Sequence, residues 1–123
     1  MLAGNFFELA SMNSENGKLT GVIKLNAAHT IFEGHFPGQP VVPGVCMMQI
    51  VKEILAGALS TSLRLEVADQ VKFLSVINPL ETSSVQIEIA YAPAEDGRVK
   101  MSATLLNESM VYFKLRAIFK LME

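Results

Sequence analysis

Histidine is scarce in this chain, and one of its two copies is surrounded by conformational punctuation. The stretch "GHFPGQPVVPGV", residues 34–45, holds three glycines, three prolines and His35 within twelve positions. Prolines fix φ and glycines permit tight turns, so such a loop holds one side chain in place at low entropic cost, as catalysis and ligand binding require. Phe36 and the neighbouring apolar residues favour a neutral imidazole, a form that accepts a proton near pH 7. A hydrogen-bonded structural histidine fits the same residues, and spacing alone leaves both readings open.

Pro43 and Gly44 stand just before a proline-free apolar run, "VCMMQIVKEILAGALS". That run predicts a helix over 45–59, about 22 Å long, whose first turn offers unpaired N–H groups beside the loop of His35. A carbonyl oxygen gaining negative charge would be stabilised there, and a base beside such a site suggests proton abstraction α to a carbonyl. An ordinary proline-glycine helix entry is the alternative. Gln49, Lys52 and Glu53 are the only strongly polar positions on the helix, so its neighbours are expected to bury it. Cys46 reads as a small buried apolar residue, and one cysteine excludes an internal disulfide. His29 and His35 have no carboxylate or thiol at ligand spacing, so no metal site is expected. No phosphate-cradling loop or nucleotide motif is present, and no cofactor is implied.

The flanking segments must position this helix. "NFFELASM" is followed by "NSENG", whose Asn16-Gly17 pair signals a hairpin turn, and "KLTGVIKLN" places Leu19, Ile23 and Leu25 opposite Lys18, Thr20 and Lys24. Beyond residue 61 the period is two. "LRLEVADQVKFLSV" and "SSVQIEIAY" are separated by Asn78-Pro79, the turn "APAEDG" follows, and "RVKMSATLL" and "MVYFKLRAIFKLM" are joined by "NES". Two strands, one helix and four strands describe an α+β architecture, a mainly antiparallel sheet around one long apolar helix. The outer strand faces then need solvent or a second subunit.

The 123 residues fit one domain, 1–123, and half of them are hydrophobic, which suggests further burial in an oligomer. The net charge of −2 gives no overall attraction to nucleic acid or anionic lipid. Five cations against two anions from Arg98 onward make that end locally positive, enough to dock an acidic partner or to form a solvated strand face. No apolar run reaches the length of a membrane span, and the N-terminus lacks a basic region and a long apolar core, so a cytoplasmic protein is expected.

"HTIFEGHFPGQPVVPGVCMMQIVKEIL" closely resembles the signature segment of the β-hydroxyacyl-acyl carrier protein dehydratases of the FabZ and FabA type. "VKFLSVINPLETSSVQIEI" and the terminal "GRVKMSATLLNESMVYFKLRAIFKLM" extend the likeness over nearly the whole chain. The resemblance implies a hotdog fold, a curved antiparallel sheet wrapped around one long central helix, with two subunits joined edge to edge. It implies that His35 is the base acting on the α-carbon of a (3R)-3-hydroxyacyl thioester delivered by acyl carrier protein. Gly44 would offer its N–H to the thioester carbonyl, with Val45 and Phe36 as further substrate contacts.

The family's acid, a Glu or Asp from the other subunit's helix, falls on Gln49. An amide cannot exchange a proton at physiological pH, and loss of a positioned acid removes about 10²- to 10⁴-fold of rate. The family's Gln four residues later is Glu53 here, so acid and amide stand exchanged one turn apart. The resemblance therefore implies a dehydratase-type protein that is weak by itself, uses Glu53 instead, or completes its site in a heterodimer with a Glu-bearing homologue. A homodimer or higher oligomer is the other assembly implied. Two alternatives remain: a non-catalytic subunit that binds acyl thioesters, and a thioesterase in which Glu53 or Glu33 activates water.

Overall fold

The structure is a computed structural model and describes residues 2–33 and 40–122. Strands β1 (Phe7–Glu15) and β2 (Lys18–Leu25) precede a short 3₁₀ turn (Thr30–Phe32), helix α1 (Gly44–Leu59), and strands β3 (Ser62–Phe73), β4 (Ser84–Ala94), β5 (Arg98–Asn107) and β6 (Met110–Met122). The strands form one antiparallel sheet in the order β1-β2-β4-β5-β6-β3, leaving β1 and β3 at its edges.

The first hairpin turns on Asn16 and Gly17 alone, both at positive φ (48° and 76°), as a two-residue turn between twisted strands requires. Residues 13–15, grouped with the turn in the sequence reading, continue β1 because each finds a partner on β2. On β2 the expected face is buried: Leu19, Ile23 and Leu25 point into the core while Lys18, Thr20 and Lys24 are exposed. β4 does the same with Val85, Ile87 and Ile89 and runs through Pro93 to Ala94. Proline is tolerated there because β2 pairing ends at Ala90, so β4 has β5 alone as its neighbour beyond that point.

Helix α1 begins at Gly44, one residue before the expected start. It buries Cys46, Met47, Ile50, Val51, Ile54 and Leu55, an i, i+3, i+4 stripe that joins the inward strand residues in one core. The expectation of burial all round is corrected: Val45 is 74% exposed, and Gly57 and Ala58 are open. One sheet face covers only one side of a helix, and the other sides line grooves. The entry to α1 is pinned by the Val42 N–H, which donates to the Ile77 carbonyl at 2.9 Å; both residues are buried.

Apolar side chains also lie outside the core. On edge strand β3 Leu63 is buried, but Leu65, Val67, Val71 and Phe73 are exposed, as are Leu74 and Val76 just beyond it. Two register shifts of β3 against β6, at Leu65/Val67 and Ala68/Gln70, move Val67 to the outer face opposite Ile118. Leu65, Val71 and Phe73 stay opposite the buried Phe119, Leu115 and Phe113 and are exposed because they lie at the edge of the sheet. No helix among the described residues is long and apolar enough to cross a membrane.

Candidate active site

The helix N-terminus is held open by its own sequence. Pro43 occupies the cap position in extended conformation (φ −62°, ψ 146°) and has no side chain able to cap. Its carbonyl accepts the N–H groups of Cys46 and Met47 at 3.0 and 3.2 Å. Among the described residues no acceptor takes the N–H groups of Gly44 or Val45, the ordinary condition of a first helical turn. A groove of about 460 Å³ opens here between Val41–Gly44, Met47 and Phe73–Val76. Burial pushes the Cys46 thiol up, so this residue remains a neutral core side chain despite its place in the first turn.

Gln49 and Glu53 meet on another face of the same helix. The Gln49 Nε2 amide donates to Glu53 Oε2 at 2.9 Å, the distance that one turn of i, i+4 spacing allows. Two main-chain donors from the N-terminal segment complete the carboxylate: the Leu2 N–H reaches Oε2 at 2.7 Å and the Ala3 N–H reaches Oε1 at 2.8 Å. Partial burial pushes the Glu53 carboxyl up, but the donors from Leu2, Gln49 and Ala3 together outweigh it and hold the group below the usual carboxylate range. Glu53 is therefore an ionised acceptor with both oxygens engaged.

Both side chains border an open groove of about 720 Å³ that follows α1 past Ala56 and Gly57 and is walled by Leu9 and Met12 of β1. Gln49 lies five positions after Gly44, about 140° around the helix axis, so the helix N-terminus and the amide open into different grooves. The fold thus pairs Gln49 with Glu53 and keeps Gly44 and Val45 apart from them. His35 and Phe36 lie outside the described residues. Glu33 is exposed at the end of the 3₁₀ turn, whose start is capped by His29 Nδ1 accepting the Ile31 N–H at 3.0 Å. Among the described residues no three His, Cys, Asp or Glu side chains cluster to hold a metal.

A family profile described as ApeI dehydratase matches residues 11–113 of the chain, from the first hairpin to β6. The chain belongs to the ApeI-like dehydratase family. It is similar to the 3-hydroxyacyl-[acyl-carrier-protein] dehydratase FabZ of Rickettsia massiliae, 26% identical over 113 residues that cover 85% of this chain and 78% of that protein. The protein of the same name from Caldicellulosiruptor saccharolyticus is 26% identical over 101 residues, covering 76% and 72%. Among solved structures, the dehydratase heterocomplex ApeI:P from Xenorhabdus doucetiae superposes with a TM-score of 0.70 at 18% identity, covering 94% of this chain and 96% of that one. Membership in the ApeI-like family and this likeness establish the hotdog architecture and relate the protein to hydro-lyases.

Two contributors to the site were not legible in the sequence. The main-chain N–H groups of Leu2 and Ala3 carry no side-chain signal and lie 51 and 50 residues from Glu53. Phe73, which walls the helix N-terminus, is one of several apolar residues in an alternating run that gives no hint of its neighbour.

Proposed function

We propose that this ApeI-like protein is a (3R)-3-hydroxyacyl-thioester dehydratase subunit that supplies the base and the carbonyl anchor, and relies on a Glu-bearing partner for the acid. His35 removes the α-proton of the acyl chain, the N–H of Gly44 holds the thioester carbonyl as charge develops on it, and Val45 and Phe36 border the bound chain. The departing 3-hydroxyl takes its proton from a carboxylic acid of the partner, because the amide of Gln49 has none to give. The product is a trans-2-enoyl thioester and water. Acyl carrier protein delivers the substrate.

The observation that carries this reading is the engagement of Glu53. Its carboxylate accepts three hydrogen bonds and is held ionised, so it is poorly suited to replace the acid missing at position 49. The separation of Gly44 and Gln49 into two grooves supports a reacting centre composed of two subunits. The exposed apolar residues of edge strand β3 offer a surface for such pairing.

Subunit mixing tests the proposal with this chain alone. A Gln49→Glu variant is expected to dehydrate a 3-hydroxyacyl carrier-protein thioester about 10²- to 10⁴-fold faster than the wild type. A His35→Ala, Gln49→Glu double variant has the acid and no base and is expected to be inactive by itself. Mixed with wild type, it forms heterodimers with one complete site and activity returns. Wild-type turnover equal to that of Gln49→Glu would overturn the reading.

A further inference from the structure

The Gln49–Glu53 contact constrains more than Glu53. Because the carboxylate is acceptor-only, the amide of Gln49 must turn its Nε2 toward it, at 2.9 Å, and its carbonyl Oε1 away. Among the described residues no donor reaches Oε1, and the half-buried Gln49 lines the groove, with its Nε2 side taken by Glu53. The amide cannot flip without setting a carbonyl against a carboxylate. Leu2 and Ala3 keep the carboxylate itself from turning.

We propose that Glu53 is a positioning residue that fixes Oε1 of Gln49 toward the groove, making position 49 an acceptor that selects acyl chains carrying a 3-hydroxyl. A hydroxyl donates to such an oxygen, whereas a saturated or 2-enoyl chain leaves it unpaired. A site closed by Gln49 therefore retains the 3-hydroxyacyl thioester without dehydrating it. This inference rests on the acyl-thioester reading above, but the amide's orientation does not.

Two measurements on the full-length wild type separate the two. The first is the ¹⁵N-labelled side-chain amide of Gln49: one of its protons, bonded to a carboxylate, is expected downfield and slow to exchange, and Glu53→Gln is expected to abolish both properties. The second is affinity for (3R)-3-hydroxydecanoyl against decanoyl pantetheine. The wild type is expected to prefer the hydroxylated probe about fivefold to tenfold, the size of one hydrogen bond. Gln49→Met, of similar shape and without the acceptor, is expected to erase the preference, and Glu53→Gln to reduce it. Thermal melting verifies that each variant is folded.

An amide signal indifferent to Glu53→Gln overturns the orientation, whatever binds. A preference that survives Gln49→Met overturns the acceptor role. If neither probe binds the wild type, the acyl-thioester reading fails and the acceptor role with it, even where the amide responds as expected.

Discussion

A β-carbon on Gly44 would lie 2.8 Å from both Cε1 and Cζ of Phe73, closer than side chains pack. Glycine at the first position of α1 is thus a condition for the ring to lie over the helix end, where it also tilts against Phe113 with centroids 5.2 Å apart. Gly44→Ala is expected to displace the half-exposed far end of the ring at a cost of about 0.5–1 kcal/mol of stability. In a Phe73→Ala background the same change should cost far less, since the two residues share one contact. Urea titration of the four proteins reads the coupling, and equal costs in both backgrounds would refute it.

Glu53 makes stability depend on acidity. Its folded carboxyl lies below its ordinary value of 4.5, so the folded state binds the proton less readily than the unfolded chain. The stabilisation is complete above 4.5 and is lost as pH falls through the lower folded value. Denaturation midpoints measured through this acidic range should fall more steeply for the wild type than for Glu53→Gln. Parallel curves would show that the three hydrogen bonds contribute nothing in solution.

Helix α1 ends on Ser60 in the left-handed region (φ 54°, ψ 40°), its N–H donating to the carbonyls of Ala56 and Gly57. A residue with a β-carbon is strained in this conformation, which glycine adopts freely. Ser60→Gly is expected to raise stability by roughly 0.5–1 kcal/mol, the relief of strain being offset in part by the greater freedom of unfolded glycine. An unchanged or lower melting temperature contradicts this account.

On β3, Val71 and Phe73 are exposed on an unpaired edge strand. Beyond its two bulges this edge is apolar at Val71 and Phe73 and free to pair with another chain. Val71→Lys combined with Phe73→Lys is expected to lower the mass seen by analytical ultracentrifugation while each chain stays folded. Retention of the wild-type mass would move the subunit contact elsewhere.

Local rules reached most of the fold. The Asn16-Gly17 turn and the alternation of β2 and β4 are set by neighbouring residues and their covering core, and both are found where the sequence puts them. β3 was harder to read. Its alternating apolar residues predict a buried face, and the bulged pairing with β6 turns Val67 outward. Leu65, Val71 and Phe73 keep the inward face but are exposed at the sheet edge, because alternation does not say what covers an apolar face. At the site, the exchange of acid and amide between positions 49 and 53 was visible in the residues. Its result was not, because the groups that occupy Glu53 are main-chain donors brought from the far end of the chain.

That clamp reads the main chain and ignores side-chain identity. Exposed position 3 can therefore accept almost any replacement without loosening Glu53, with proline as the exception, since it lacks the N–H that each position contributes. At position 2 the Leu side chain also packs against the core and helps seat the segment. Across related sequences the constraint would register as a missing residue type instead of a preferred one, and a search for shared residues would pass over it.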